Sequence, residues 1–283
     1  MALRINYNLA ASVAQRSLSS SQDNYARQAE RLATGLRINK AGDDAAGMAI
    51  SERLKNQVRG LNQAQRNAQD GISLIQTAEG AMGEAHNLLA RMRELAVQAA
   101  NDTVTSTDRS NILTEFTSLY AEIDRIATST QFNGVAILTG GSTALSLQIG
   151  ANSNNSLVND NVISLNITPG GSFYASVLSP TMTDMGVTSQ SVANLAISTL
   201  DAAINAVSTA RTSVGSMQSR LESASRSIAV ASENAAAANS RIADADIASS
   251  MSELVRAQIL QQAGISVLAQ ANQAPSLVLQ LLK

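Results

Sequence analysis

Histidine occurs once in this chain, at position 86, and cysteine does not occur at all. No disulfide and no thiolate metal site is therefore open to it. His86 stands in heptad register with Glu79 and Arg93, the setting of a structural polar residue rather than of a base or a ligand. The adjacent carboxylates Asp43 and Asp44 are the other pair with chemical potential. Calcium takes six or more oxygens, and nothing nearby supplies the remainder. Carboxylates at that point suit the positive end of a helix beginning just after them. Serines and threonines are abundant, yet none sits in a nucleophile-elbow pattern. The glycines form no phosphate loop followed by Lys and Ser or Thr. These residues predict no catalysis, no cofactor and no metal.

The elements that carry them are long helices. From Leu54, every seventh residue is apolar: Leu61, Ala68, Ile75, Met82, Leu89 and Ala96 follow. The row four residues further on is mixed, holding Val58, Gln65, Ile72, Glu79, His86, Arg93 and Ala100. Without a proline, Ile50 to Ala100 reads as one helix with a narrow apolar stripe, roughly 70 Å long at the α-helical rise. So narrow a stripe needs partners of matching length, which predicts a rod. Aromatics make up 2% and Trp is absent, so Ala, Leu, Ile and Val must do the burying across thin helix–helix seams. A net charge of −2 with dispersed basic residues gives no nucleic-acid footprint. The first residues, MALRINYNLAASVAQ, carry no sustained apolar core or cleavage site, so a cleaved Sec signal is not expected. Ala257 to Leu282 is uncharged, but six glutamines, Asn272 and Pro275 make membrane insertion a poor reading.

In chain order, residues 3–36 read as a helix with a diluted repeat (Ala11, Leu18, Tyr25, Leu32), and Arg37 to Gly47 as a connector. A further helix starts near Ser106–Asp108, a capping cluster, with the stripe Ile112, Phe116, Leu119, Ile123 and Ile126. From Ile126 to Ala210 there is no Lys or Arg. There, Phe132 to Gly141 and Ala144 to Asn152 read as short strands joined by a Gly-Gly turn, and Val162 to Thr168 alternates with period two. Beyond Gly186 the sevens return as Ala193, Leu200, Val207, Val214, Leu221, Ile228, Ala235 and Ile242. Two such helices separated by a turn-rich tip suggest antiparallel partners. The tail breaks the pattern. Ile247, Met251, Leu254, Ile265 and Leu268 fall on one side of a helix, and Ile259, Leu260, Ala263 and Val267 roughly opposite. A helix apolar on two sides must be covered on two sides. The N-terminal helix, with Leu18, Tyr25 and Leu32, can cover one; neighbouring subunits must cover the other.

Four stretches in order, ERLATGLRINKAGDDAAGMAI (Glu30 to Ile50), RMRELAVQAAN (Arg91 to Asn101), FNG (Phe132 to Gly134) and QILQQAGISVLAQANQAPSLVLQLL (Gln258 to Leu282), resemble bacterial flagellin. The resemblance implies a mainly α fold, a long antiparallel coiled-coil bundle with a small β-hairpin region at one end. It implies an inner, channel-lining domain from 1–42 plus 245–283, and an outer helical bundle over 43–244. A hairpin near 132–168 and a surface loop near 153–187 would stand in for the large central domains of longer relatives. The implied role is mechanical: subunits exported unfolded polymerise at the distal tip into a hollow extracellular filament for motility. The implied partners are further copies, an export chaperone at the C-terminal tail, the filament cap, hook–filament junction proteins and a host toll-like receptor. The receptor contact maps by resemblance onto Arg91, Leu95 and Glu115, with Ala90 departing from the usual Gln. A hook–filament junction protein and a chemoreceptor-like signalling coiled coil are the competing readings.

Overall fold

A computed structural model describes residues 8–139, 145–152, 161–167 and 187–281, with side chains through residue 273. The helices are α1 (Leu9–Thr34), α2 (Ala45–Ala99), α3 (Ser106–Ser129), α4 (Gln190–Ala243) and α5 (Ile247–Leu281). The strands β1 (Gln131–Phe132), β2 (Val135–Ala136), β3 (Leu145–Gln148) and β4 (Val162–Leu165) precede α4. The chain is mainly α.

Two compact units emerge, one from 1–56 with 234–283 and one from 57–233. The division falls inside α2 and α4 rather than at the connectors near 42 and 245, because both long helices run unbroken through it.

In the second unit, Asn62 meets Ser232, Glu79 meets Arg211 and Arg93 meets Asp201, which makes α2 and α4 antiparallel. The expected stripe is inside: Leu61, Ala68, Ile75, Met82, Leu89 and Ala96 on α2 are buried, as are Ala193, Leu200, Val207, Val214, Leu221 and Ile228 on α4. The companion row differs from the sequence reading. Residues four further on are only half-buried. The second buried row lies three further on, at Ala64, Gly71, Ala78, Ala85, Met92 and Ala99, and at Ala196, Ala203 and Ala210. Heptad seams alternate steps of three and four. The stripe read from Leu54 opens on the three-residue step, so the seam is completed by small side chains and the mixed row stands at its rim.

α3 lays Ile112, Phe116, Ile123 and Ala127 into the same core. Its start is a capping box. The Thr105 hydroxyl accepts from the Asp108 amide at 3.3 Å, and the Asp108 carboxylate accepts from the Thr105 amide at 3.2 Å, so two orphan helix donors are satisfied. Arg109 reaches back to the Ala99 carbonyl at 2.9 Å and the Asn101 carbonyl at 3.0 Å, closing the C-terminal end of α2.

The strand reading needs correction. Phe132 pairs with Val135 around Asn133 (φ 49) and Gly134 (φ 77), the two consecutive positive angles of a two-residue hairpin turn. FNG is thus itself a turn, not the head of a strand reaching Gly141. β3 pairs antiparallel with β4, Leu145 opposite Leu165, in a second sheet, and not across the Gly-Gly pair, which lies outside the described residues. In β4 and just beyond it, Ile163, Leu165 and Ile167 are buried, as alternation predicts. Of the surface loop near 153–187, residues 153–160 and 168–186 lie outside the described residues, and β4 occupies much of what remains. Two glycines inside α2 seat this second sheet. A Cβ on Gly60 would lie 2.8 Å from the Ala151 Cβ, and one on Gly71 would run into Leu147.

The seam assignment predicts unequal costs for adding a carboxylate to α4. Leu221→Asp places an unpaired charge in a sealed layer and removes a packed side chain, costing on the order of 3–5 kcal/mol. Ser225→Asp, on the half-buried rim, costs much less. Thermal melting of the two variants checks the register; equal losses contradict it. The cap predicts a pH dependence. Bonds from the Thr105 side chain, then from its backbone, hold the Asp108 pKa below its usual value. Its contribution is therefore complete above the unfolded value of about 4 and is lost as pH falls through the lower folded value. The melting-temperature gap between the parent and Asp108→Ala should be widest near neutrality and close in acid below that value.

Candidate functional site

The first candidate surface belongs to α1 and α5, which pair within the first unit. Asn8 begins α1, accepting from the Ala11 amide at 3.1 Å and donating to the Ala271 carbonyl at 2.8 Å. Gly35 ends it in the left-handed region (φ 71). Beneath them the connector is clipped to the break between α4 and α5. The Arg37 amide donates to the Ala243 carbonyl at 2.7 Å, the Ala245 amide to the Gly35 carbonyl at 2.9 Å, and the Arg37 guanidinium to the Ile242 carbonyl at 2.7 Å.

The acidic pair beside this clip acts through its acceptors. Asp44 accepts from the Gly47 amide at 2.8 Å and starts α2. Asp43 accepts from the Asn39 and Lys40 amides, each at 3.1 Å. Those bonds, Lys40 first, hold its pKa below the usual carboxylate range. Among the described residues no cluster of three or more metal-ligating side chains occurs. His86 is half-buried on the seam rim, and its Nδ1 has no hydrogen-bond partner.

The tail's two apolar sides are not distributed as the sequence suggested. The stripe of α5 that is most covered runs through Ser250, Leu254, Ala257, Gln261, Gly264, Leu268 and Ala271. Leu18 on α1 lies 3.4 Å from where a Gly264 Cβ would stand. Leu254 and Leu268 are half-buried. Ile247, Met251 and Ile265, expected beside them, are exposed, as are Ile259, Leu260, Ala263 and Val267. The reason is close approach: small residues bring α1 and α5 together, and the bulky ones are displaced outward. Of the α1 residues singled out, Leu18 and Leu32 are half-buried and Tyr25 is exposed. Ile259 is 59% exposed and Val267 56%, an arrangement that leaves much apolar surface in water.

The second candidate surface is on α2 and α3. Arg91 holds one carboxylate oxygen of Glu115 with two nitrogens, at 3.0 and 2.9 Å, and Glu94 at 3.0 Å. All three side chains are solvent-facing, and the bonds to Glu115, then Glu94, raise the Arg91 pKa further. Leu95 corrects the sequence reading. It is 1% exposed and belongs to the core cluster, so it is not an apolar anchor open to a partner. A step of four residues turns a helix by about 40° past a full turn, and the core edge passes between Arg91 and Leu95.

The first 143 and last 87 residues bear on kinship. The family model of the bacterial flagellin N-terminal helical region matches residues 5–143, and that of the C-terminal helical region matches 197–282. Flagellin of Halalkalibacterium halodurans is 46% identical over 279 residues, covering 99% of both chains. Flagellin of Bacillus subtilis is 42% identical over 99% of this chain and 100% of its own. A Treponema maltophilum flagellar filament 30.7 kDa core protein is 41% identical over 98% and 99%. A solved structure assigned as a flagellar hook-associated protein of Vibrio parahaemolyticus aligns with 71% of this chain and 100% of its own at a TM-score of 0.58. Its 15% identity speaks to the fold alone. With both helical regions matched and relatives aligned end to end, the chain belongs to the bacterial flagellin family.

Proposed function

We propose that this chain is a structural subunit that polymerises with copies of itself into the extracellular flagellar filament. The observation that carries the proposal is the α1/α5 pair, which half-buries Leu18, Leu32, Leu254 and Leu268 but leaves Ile247, Met251, Ile259, Leu260, Ile265 and Val267 exposed. Burying such side chains is worth about 25 cal/mol per Å², and more copies of the same helices supply the cover. Kinship supports the reading, since the relatives aligned over nearly the whole chain are flagellins or filament core proteins. That same end-to-end match favours a filament subunit over a hook–filament junction protein. The paired strands beyond α3 argue against a signalling hairpin. Among the described residues no helix is long and apolar enough to cross a membrane.

Assignment of 1–42 with 245–283 to the channel wall and of 43–244 to the outer shell belongs to the same proposal. So do export in an unfolded state, a chaperone on the C-terminal tail, and contacts with the cap and with hook–filament junction proteins. The absence of cysteine and the scarcity of aromatics suit threading and refolding.

A host toll-like receptor is a further proposed partner, with Arg91 and Glu115 at the contact and Leu95 holding their helix from beneath. The exposed fork of Arg91 with its two carboxylates is the supporting feature; a solvent-exposed ion pair contributes little to stability, so the fold does not depend on it.

Two outcomes are expected. A chain ending after Asp246 keeps α2, α3 and α4 and should retain cooperative melting of the 57–233 unit while forming no filaments on seeds. Normal filaments from that truncation would contradict the role given to α5. Exchanging the charges of Arg91 and Glu115 should leave melting unchanged and abolish receptor activation by soluble monomer. Full activation by the folded exchange variant removes the receptor contact from these positions.

A further inference from the structure

Between α2 and α3, within the second unit, lies an open groove of about 390 Å³. Its apolar lining comes from Ala81, Leu88 and Ile126, and Gly80 opens one side. A Cβ on Gly80 would meet nothing within 4 Å, so no neighbour in the described fold requires a glycine there. Glycine inside a helix is unfavourable relative to alanine. The charged lining is unequal. Glu122 is held by Arg125 of the same helix through two bonds, at 2.8 and 2.6 Å. Glu84 is exposed and has no hydrogen bond or ion pair among the described residues. An apolar trough ending at an unpaired carboxylate matches one side chain above others. Arginine lays an aliphatic stem on apolar surface and offers a fork to a carboxylate.

The same unit carries free arginines elsewhere. Arg220 and Arg226 on α4 are exposed and have no partner among the described residues. Glu79 faces Arg211, so Glu84 stands near residue 207 of α4. Arg220 and Arg226 therefore lie roughly 20–30 Å further along the helix axis, beyond the reach of any side chain. They cannot fill the groove of their own chain. Charge is zoned accordingly. Residues 57–78 with 212–233, which lie side by side, hold four arginines (Arg59, Arg66, Arg220, Arg226) against Asp70, Glu222 and Glu233. In residues 80–130 with 190–204, eight carboxylates face four arginines. A unit positive in one part and negative in another is complementary to a displaced copy of itself. Displaced, head-to-tail contacts build open helical arrays.

We propose that the α2/α3 groove is a docking site for a second copy of this chain, which inserts an α4 arginine, Arg220 or Arg226, against Glu84. The inference rests on the filament reading and gives it a register: the arginine-bearing part of one subunit's α4 lies over the acidic α2/α3 part of the next. The apolar terminal helices supply adhesion without direction, and this contact selects the step between neighbours.

Seeded elongation of the full chain on sheared filaments, read as the monomer concentration left at equilibrium, tests it. Glu84→Arg, and separately Arg220→Glu with Arg226→Glu, should each raise that concentration about tenfold, the effect of losing one close charge pair across an interface. The triple variant carrying all three reversals should return to within about threefold of the parent. Gly80→Leu fills the trough; it should raise the melting temperature of the monomer while also raising the residual concentration, a pair of changes that misfolding cannot produce. Either charge reversal elongating like the parent overturns the proposal and leaves the filament reading standing. Failure of the triple variant to recover overturns the pairing of these residues. No elongation by the parent overturns the filament reading and this inference with it.

Discussion

Close approach of helices through small side chains is the constraint on which this structure depends. The buried row of α2 that completes its seam is Ala64, Gly71, Ala78, Ala85, Met92 and Ala99, and α4 answers with Ala196, Ala203 and Ala210. Individually these bury little area, and stabilisation scales with area removed from water. What they permit is approach, so that Ile75, Met82, Leu89, Leu200, Val207 and Leu221 pack without gaps. Dispersion falls off steeply with separation, so a thin core with hardly any aromatic residues holds only while that spacing is kept. Gly60 and Gly71 extend the device to β3 and the residues just after it, where Leu147 and Ala151 enter the space a side chain would fill.

The same device has the opposite consequence in α1 and α5. There too small residues set the spacing, with Ala14, Ser250, Ala257 and Gly264 at the contact. Ile247, Met251, Ile259, Leu260, Ile265 and Val267 stand outside it in water, while Leu18, Leu254 and Leu268 are half-buried. A pair so arranged gains little by folding alone, and ordering its backbone costs roughly 1–2 kcal/mol per residue. The bonds from Arg37 to the carbonyls of Ile242 and Ala243 hold two helix breaks together at the base of the pair.

Charge divides the labour differently. Most ion pairs here are exposed, such as Arg125 with Glu122 and Arg256 with Glu253, and pairs of that kind contribute little to stability. Their distribution bears on recognition instead. The Arg91 cluster and the groove ending at Glu84 both lie on α2 with α3, where carboxylates exceed arginines. A charge pattern beside an apolar trough sets which partners fit more than how tightly they bind.

Helix positions were legible in the sequence because heptad repeats and caps are local: the runs beginning at Leu54 and Ala193, Thr105 with Asp108, and Gly35 each act within a turn or two. Period-two alternation marked Ile163, Leu165 and Ile167 for the same reason. The second row of the seam was legible as well: Ala64, Gly71, Ala78, Ala85, Met92 and Ala99 are small or apolar throughout, whereas the row of Gln65, Glu79 and Arg93 carries groups costly to bury. What tertiary structure alone decided was how fully each side chain is covered. The turn at Asn133–Gly134 was legible in principle, since Asn-Gly is the pair that best tolerates two consecutive positive angles; the apolar residues around it suggest strand and mask that signal. Leu95 stands at the receptor contact by resemblance alone, and tertiary packing is what places it in the core beside an exposed Arg91. Ile247, Met251 and Ile265 share a side with Leu254 by angle alone, yet side chains that near are sorted into covered and exposed by how closely α1 can approach. The chain itself determined that long, thin, sticky helices would form; the distance between their axes determined which residues they hide.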